Sequence, residues 1–238
     1  MFYGFSHTEI WLIGTLLFIL RYVLVAGVFF YLFYVLKKTR FSKFKIQEHF
    51  PLKKQIKREV LYSLLTFLIY GSSLLLFVFW VENGYTKSYN NLQEYGLAYF
   101  VASILLMVFI HDTYFYWTHR LIHHSKFFKH IHKVHHSFTS PTPWAAFAFH
   151  PWEALISLGF IPIILFVIPH HQWALVVFIT FLTLYNVLIH LGFSIPKLQK
   201  MKLFNTPDAH DYHHLKSKKN YGLYFTFWDR LMGTYQGA

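Results

Sequence analysis

The chain has 238 residues, of which 55% are hydrophobic and only 13% are charged. Soluble domains carry about 25% charged residues, so this composition favours a membrane protein. No cysteine is present, which excludes disulfides, thiolate zinc sites and cysteine-ligated iron–sulfur clusters. The formal net charge is +12, but the basic residues cluster beside apolar runs, as the positive-inside rule expects, and we therefore predict no nucleic-acid partner.

Two apolar runs separated by a basic segment form the N-terminal part of the chain. The first run, residues 10–36, is interrupted only by Arg21, and its length predicts a retained membrane span. A charge at mid-span costs about 3 kcal/mol, so Arg21 either snorkels from a shifted span, lines a polar cavity or pairs with an acid. Residues 37–58 hold nine basic residues and one acid, which predicts a cytoplasmic loop. A second span follows at residues 60–80, and we expect residues 1–96 to form an N-terminal transmembrane region.

Three further apolar runs follow, at residues 97–110, 155–168 and 173–190. The first continues into a histidine-rich stretch and returns the chain to the side of the basic loop. The other two flank a short break at 169–172 and are short for full spans, so they form a hairpin that either crosses the membrane or only dips into it. We predict an all-α membrane protein with about four to five transmembrane or membrane-dipping helices. A cytoplasmic, histidine-rich helical cap holds a di-metal site in this prediction.

The histidines fall into three groups with spacings of three or four residues. The groups are His119 and His123; His132, His135 and His136; and His210, His213 and His214. Residues three or four apart share a helix face, so each group can direct its imidazoles to one point. Eight imidazoles exceed what one tetrahedral zinc ion uses, and the count therefore indicates two metals. Imidazole ligands alone leave iron, zinc, copper and nickel open.

Several other histidines and the nearby acids are not predicted to bind the metals directly. Four histidines are expected to be surface or hydrogen-bonded residues: His7, His49, His170 and His171. Three more are left outside the ligand set: His111, His124 and His130. Asp112 and Asp211 are candidates to accept the outer ring N–H of a ligand and fix its tautomer. A helix-capping role for Asp211 stays open.

At these residues the sequence resembles the fatty acid hydroxylase/sterol desaturase superfamily of membrane-bound di-iron oxygenases. The family's first histidine box is matched by Tyr116, Trp117, His119, Arg120 and His123. Its second and third boxes are matched by His132, His135 and His136, and by His210, His213 and His214. Its lone histidine before glycine is matched by His190, and its ending is matched by Asn220, Tyr221, Gly222, Trp228, Asp229, Gly233 and Thr234. The segment TPWAAFAFHP, with His150, is most similar to the sterol C-5 desaturase branch.

The resemblance implies a catalytic domain at residues 97–238, with His190 added to the eight grouped histidines as metal ligands. It implies two iron ions (Fe2+/Fe3+), O2 as co-substrate and an external electron donor, either a b-type cytochrome or a ferredoxin-like protein. The expected reaction is hydroxylation or desaturation of an unactivated C–H position of a membrane lipid, a sterol or a fatty-acyl lipid. Candidates to contact substrate are His150, Trp144 and Phe149.

Two alternatives to this function remain open from the sequence. A zinc-type hydrolytic or isomerising membrane metalloenzyme would need neither O2 nor a reductant. A metal-binding or metal-transport membrane protein would place its ligands at mid-membrane depth, whereas the grouped histidines are predicted at the cytoplasmic ends of spans. The expected location is an integral membrane protein with its active site on the cytoplasmic face, in the inner membrane of a bacterium or the endoplasmic reticulum of a eukaryote.

Overall fold

The computed structural model describes residues 4–237, and helices dominate it. The α-helices are α1 His7–Phe30, α2 Lys38–Phe41, α3 Lys53–Glu82, α4 Gly96–Ile122, α5 Ser125–Ile131, α6 Lys133–His136, α7 Pro151–Leu158, α8 Phe160–Val167, α9 Gln172–Ile189, α10 Pro196–Gln199, α11 Pro207–Lys216 and α12 Phe227–Leu231. Short strands β1 (Ser88–Tyr89) and β2 (His170–His171) pair in parallel. The predicted all-α fold class is therefore confirmed.

Within residues 4–237, four helical segments are long and apolar enough to cross a membrane: His7–Leu36, Lys53–Glu82, Gly96–Ile122 and Gln172–Ile189. The first consists of α1 and a wider π-helical turn that continues it to Leu36. A capping box starts α1, since Ser6 and Glu9 satisfy each other's backbone N–H groups. Leucines at four-residue spacing along α1 stay exposed: Leu16, Leu20 and Leu24. An apolar stripe of this length on the outside of the bundle is suited to lipid contact.

The first two long helices pack closely against each other. Gly71 of α3 faces Thr15 of α1, and a Cβ at position 71 would overlap the threonine side chain. Arg21 lies on the same stretch of α1 with its guanidinium 5.4 Å from the centre of the Phe18 ring. Among residues 4–237 no carboxylate pairs with Arg21, so the acid-pair alternative for this residue is wrong.

The two ends of the bundle differ in character. At one end, the β1–β2 pair joins the turn after α3 to the turn before α9. At the other end, the basic segment after α1 pairs with the chain after α9, where Ile46 N donates to Gly192 O at 3.2 Å and Ser194 N donates to Phe44 O at 2.7 Å. His190 comes directly before this pairing, so the histidines lie at the basic end. The basic segment and the histidine groups thus lie at the same end of the bundle, while their side of the membrane stays a prediction.

The hairpin predicted from residues 155–190 crosses the bundle. Helix α7 begins beside the histidines, where Glu153 contacts His132 at 2.7 Å. Helix α8 ends beside the strand pair, where Lys87 N donates to Leu165 O at 2.9 Å. Together α7 and α8 rise about 25 Å at 1.5 Å per residue, close to the depth of a hydrocarbon core. The hairpin thus runs from the histidine end to the strand-pair end of the bundle, and its crossing of a membrane stays a prediction.

The segment between the second histidine group and α7 is buried rather than exposed. Residues 143–147 form a 3₁₀ turn packed on α3 and α9. Tyr22 Oη and Ser63 Oγ both donate to Trp144 O, at 2.8 and 2.9 Å. Thr142 Oγ1 donates to the buried Glu59 carboxylate at 2.5 Å. Polar groups from the first two long helices therefore fix the segment that follows His135 and His136.

Candidate metal centre and its cavity

Nine histidines converge in two groups at the basic end of the bundle. In each group, ring nitrogens from every member lie within 4.8 Å of one another. The first group consists of His119, His123, His132, His136 and His213. The second consists of His135, His190, His210 and His214. All nine positions named from the sequence are brought together, although their role as metal ligands stays a prediction.

Local helix geometry explains how each sequence motif divides between the groups. His119 and His123 lie one turn apart at the C-terminal end of α4, so both rings face the first group. His135 and His136 are adjacent on α6 and point to different groups. On α11, which begins with a Thr206 cap and Pro207, the adjacent residues His213 and His214 divide in the same way. Each H-x-x-HH motif therefore contributes one of its two adjacent histidines to each group.

The ring nitrogens that converge are Nε2 atoms. In the first group, His119 Nε2 lies 3.1 Å from His132 Nε2 and 3.3 Å from His123 Nε2. His136 Nε2 lies 3.1 Å from His213 Nε2. In the second group, His190 Nε2 lies 3.0 Å from His210 Nε2 and 3.3 Å from His135 Nε2. Lone pairs of several neutral imidazoles thus meet at two points.

The outer nitrogen of several rings donates a hydrogen bond that leaves Nε2 free as a ligand. His119 Nδ1 donates to Tyr221 O at 2.8 Å, and His213 Nδ1 donates to Lys219 O at 2.7 Å. His190 Nδ1 donates to Asn186 O at 2.7 Å, one turn earlier on α9. Because a neutral imidazole carries one proton, a donating Nδ1 leaves an unshared pair on Nε2.

Burial keeps these imidazoles neutral. It lowers the pKa of His190 to about 4 and the pKa of His136 to about 3. Burial, reinforced by neighbouring imidazoles, also holds the pKa of five others well below 6.5: His132, His135, His210, His213 and His214. Near pH 7 the cluster is therefore uncharged and rich in lone pairs, which is the state that binds transition metals.

The donor set fits a pair of metal ions. Neither ring nitrogen of buried His214 has a protein hydrogen-bond partner within residues 4–237, and His135 and His210 each lack a partner for Nδ1. Buried polar atoms without partners are costly, and a bond to a metal ion would give His214 Nε2 the partner that it lacks. The first group offers five imidazoles and the second offers four, with no thiolate in either, so each group could hold one metal ion.

Glu153 is the carboxylate that contacts the histidine cluster. Its Oε1 accepts from His132 Nδ1 at 2.7 Å, and both side chains are buried. The sequence prediction assigned this type of contact to Asp112 and Asp211. Glu153 lies in the first turn of α7, which is capped by His150 and begins at Pro151.

Asp112 and Asp211 contact other groups. Asp112 Oδ1 accepts from the backbone N–H of Tyr224 and Phe225, at 2.8 and 3.3 Å, and so ties α4 to the C-terminal segment. Asp211 accepts from the Gln47 amide, and burial raises its pKa to about 6. Within the described part of the chain, neither carboxylate reaches a histidine ring.

The C-terminal motif builds the loop that orients His119. Asp229 accepts from the backbone N–H of Tyr221 at 2.9 Å and of Gly222 at 2.8 Å, and from Thr234 Oγ1 at 2.7 Å. The carbonyl of Tyr221 then accepts from His119. Gly222 is required here, because a Cβ would lie 2.5 Å from Phe225 O and 3.0 Å from Asp229 Oδ2.

A small, mainly apolar cavity of about 40 Å³ reaches both histidine groups. Its walls come from α4, α7, α9 and the cluster: His111, Tyr114, Phe115, Thr118, His119, Ile122, His132, His135, Phe149, Glu153, Ile156, Ser157, Asn186, His190 and His210. Phe149 stands in its wall with its ring centre 5.3 Å from that of His135. Trp144 instead packs on Tyr22, and His150 caps α7 by accepting from Trp152 N at 3.3 Å, so neither of these two lines the cavity.

Comparison with known proteins identifies the class of protein to which this fold and site belong. The family model described as "Fatty acid hydroxylase" matches residues 104–234, which is more than half of the chain and includes all nine histidines. The chain therefore belongs to the fatty acid hydroxylase family.

Similar relatives place the chain with the sterol desaturases of that family. It is 33% identical over 191 residues to the "Delta(7)-sterol 5(6)-desaturase ERG3B" of Gibberella zeae, covering 79% of this chain and 59% of the relative. It is 34% identical over 189 residues to the "Lathosterol oxidase" of Homo sapiens, covering 78% and 62%. It is 30% identical over 228 residues to the "Delta(7)-sterol 5(6)-desaturase erg3C" of Aspergillus fumigatus, covering 87% and 71%. The chain thus spans about three-fifths of the length of the first two, and no solved structure matches it significantly.

Proposed function

We propose that the chain is an O2-dependent di-iron oxidoreductase that hydroxylates or desaturates an unactivated C–H position of a membrane lipid. One observation carries the proposal: a cavity with mainly apolar walls ends against both histidine groups. An apolar substrate would thereby meet two metals without crossing water. A hydrolytic site would have to bring water and a polar ester or amide to the same place.

We assign the proposed metal ligands to two irons according to the two histidine groups of the structure. One iron would be held by His119, His123, His132, His136 and His213, and the other by His135, His190, His210 and His214. When bound, the two irons would supply the O2-dependent chemistry that removes hydrogen from carbon. Desaturation would take two hydrogens from the lipid, two electrons from a donor and two protons from solvent, and reduce O2 to two waters.

The chain's own residues position and shield that chemistry. Glu153 and the carbonyls of Tyr221 and Asn186 fix imidazole orientation through the outer ring nitrogens. Phe115 and Phe149 cover the histidines on the cavity side and exclude water from the reacting carbon. Together these residues would hold the reacting carbon of the substrate in a fixed position relative to the two metals.

The proposed substrate is a sterol. The relatives bear the names Delta(7)-sterol 5(6)-desaturase and lathosterol oxidase, and the family match at residues 104–234 includes all nine histidines. We therefore propose that this chain oxidises a Δ7-sterol. Fatty-acyl lipids are the second proposed substrate class. The family match at residues 104–234 supports a catalytic domain within residues 97–238, preceded by the membrane region of residues 1–96.

The proposed orientation places the histidine end in the cytoplasm. The basic segment after α1 lies at the same end as the histidines, and basic loops stay on the cytoplasmic side. Six lysines lie near the cluster in sequence: Lys126, Lys129, Lys133, Lys216, Lys218 and Lys219. An acidic electron donor, a b-type cytochrome or a ferredoxin-like protein, would dock there by complementary charge.

Isotope-labelled turnover tests the proposal. Protein purified in mild detergent and loaded with iron is incubated with lathosterol, 18O2 and a chemical or protein reductant, and the products are resolved by mass spectrometry. We expect a new double bond or an 18O-labelled hydroxyl that requires both O2 and reductant. Conversion that proceeds without O2 would contradict the proposal and favour a zinc-type isomerase or hydrolase.

A further inference from the structure

A second pocket at the histidine end is separate from the cavity that reaches the metal groups. It lies between helix α12 and the segment that joins α10 to α11, and its volume is about 380 Å³. Its polar lining residues are Gln199, Lys202, Thr206, Thr226, Arg230 and Tyr235. None of its lining residues belongs to either histidine group. Sites for small ligands have volumes of about 300–1,000 Å³, so the pocket is large enough for a phosphate-bearing headgroup.

The guanidinium group of Arg230 is held in position at this pocket by three contacts. Its Nε donates to Thr226 Oγ1 at 3.0 Å, and its Nη2 donates to the carbonyl of Lys202 at 3.0 Å. The ring of Tyr235 lies against it, with the ring centre 3.9 Å from Cζ. These two hydrogen bonds use two of the five N–H donors of an arginine side chain. The remaining donors of a fixed, planar guanidinium are suited to binding a phosphate group.

The positive charge of the pocket is not balanced by nearby acids. Within residues 4–237 no carboxylate forms an ion pair with Lys202 or Arg230. Asp229 is next to Arg230 in the sequence, but it accepts from backbone N–H groups of the C-terminal loop. Asp208 accepts from the amide of Gln199 at 2.9 Å. Two cationic side chains without an acidic partner therefore favour an anionic ligand in this pocket.

Exposed apolar side chains next to the pocket residues indicate contact with the membrane. Four of them are 45% to 68% exposed: Met201, Leu203, Phe227 and Leu231. Helix α12 lies against the long helix α4, since Trp228 Nε1 donates to Thr113 Oγ1 at 3.1 Å. Basic residues beside exposed apolar side chains are typical of segments at the membrane interface, where the apolar groups enter the bilayer and the cations meet lipid headgroups.

We propose that this pocket binds the headgroup phosphate of an anionic phospholipid, with Lys202 and Arg230 as its cationic contacts. The bound lipid links α12 to the segment before α11, which carries three of the nine histidines, and holds this end of the bundle at the bilayer surface. Anionic lipids are enriched in the cytoplasmic leaflet, which agrees with the proposed orientation. The inference does not depend on which reaction the metals perform.

Competition for a bound lipid tests the inference. The full chain in a neutral detergent is loaded with phosphatidylglycerol that carries a fluorescent label on its acyl chain. Three competitors are then added separately: unlabelled phosphatidylglycerol, phosphatidylcholine with the same acyl chains, and inorganic phosphate. The wild type is compared with Lys202→Gln, Arg230→Gln and Arg230→Lys. Lys57→Gln is the control, because it removes one positive charge from an exposed position of α3 in the basic segment.

Unlabelled phosphatidylglycerol is expected to displace the label from the wild type at concentrations about tenfold lower than phosphatidylcholine, and inorganic phosphate should not displace it in that range. Lys202→Gln and Arg230→Gln should each weaken binding of phosphatidylglycerol about tenfold, because each loses a charge-assisted hydrogen bond. Arg230→Lys keeps the charge without the planar fork and should be intermediate. Lys57→Gln should bind as the wild type does.

Lys202→Gln decides the test if Arg230→Gln fails to fold, because it leaves in place the carbonyl that Arg230 contacts. Equal displacement by the two phospholipids would overturn the inference. So would an equal loss in Lys57→Gln and Lys202→Gln, which would indicate general attraction to a chain of net charge +12. Displacement by inorganic phosphate at lipid concentrations would identify a site for free anions instead. Unchanged lipid binding in Lys202→Gln, with slower reduction of the metals by an acidic electron donor, would identify a protein docking site and also contradict the inference.

Discussion

The histidine end and the lipid-facing part of the bundle are stabilised in different ways. At the histidine end, each ring position depends on a particular partner, such as Tyr221 O for His119 or Glu153 for His132. Along α1, by contrast, leucines such as Leu16 and Leu20 face outward with no specific partner. Hydrogen bonds depend on distance and angle, so a small substitution can break them. Apolar contact with lipid, by contrast, tolerates many side chains. We therefore expect the effects of mutation to fall steeply from the first region to the second.

The largest effect is expected from removal of a proposed ligand. His213→Ala should abolish turnover and lower the metal content, because His213 Nε2 lies 3.1 Å from His136 Nε2 in the first group. The matched control is His171→Ala, which changes a histidine of the strand pair at the other end and should do neither. The metal content and the turnover rate of both variants are measured and compared with those of the wild type. Near-normal turnover of His213→Ala would contradict the ligand assignment.

A smaller but clear effect is expected from the carboxylate beside the cluster. Glu153→Gln keeps the shape of the side chain but replaces the carboxyl group whose Oε1 accepts from His132 Nδ1 with an amide. Loss of such a contact weakens metal binding roughly 10- to 100-fold. Competition with a chelator, followed by metal analysis, measures the change. Gln93→Glu and Gln93→Ala, at an exposed position of the turn before α4, provide controls that should leave retention unchanged.

The next effect concerns the loop that carries Tyr221. Asp229→Ala removes three hydrogen bonds, from Tyr221 N, Gly222 N and Thr234 Oγ1. Leaving buried donors unpaired costs about 1–3 kcal/mol each, so the thermal midpoint of unfolding should fall and metal retention should decrease with it. Asp229→Asn keeps one acceptor oxygen and should be intermediate. Equal stability of all three proteins would show that the loop does not depend on Asp229.

The smallest effect is expected at the lipid-facing stripe of α1. Leu20→Val changes an exposed side chain that has no specific partner, and surface changes of this kind usually stay within ±0.5 kcal/mol. A core change on α8, Ile164→Ala, should cost about 2–5 kcal/mol, because Ile164 is fully buried. Thermal unfolding of both variants in the same detergent tests the contrast. A loss at Leu20 as large as that at Ile164 would indicate that α1 faces protein there.

Spacing alone was enough to predict that eight of the nine histidines converge, whereas His190 was predicted from the family resemblance. His119 with His123, and each H-x-x-HH motif, follow helix periodicity, so their shared faces are visible in the sequence. Periodicity did not show that the adjacent residues of each H-x-x-HH motif point to different groups, because that division depends on how α6 and α11 dock. The long helices were likewise predictable from hydropathy, apart from their exact ends.

Contacts between distant parts of the chain were beyond the sequence. Glu153 meets His132 across 21 residues, while Asp112 binds backbone groups more than 100 residues away. Both acids are near histidines in the sequence, so proximity could not distinguish them. His111 was set aside from the ligands, and its bond to Tyr224 emerged only from the packing of α4 against the C-terminal segment.

The central claim, two metals in two histidine groups, is tested most directly by metal content. Protein purified anaerobically after growth with iron is examined by elemental analysis and Mössbauer spectroscopy. The account predicts about two irons per chain with spectroscopic coupling between them. Two zinc ions and no iron after iron supplementation would contradict the oxidase and favour the hydrolytic or isomerising alternative.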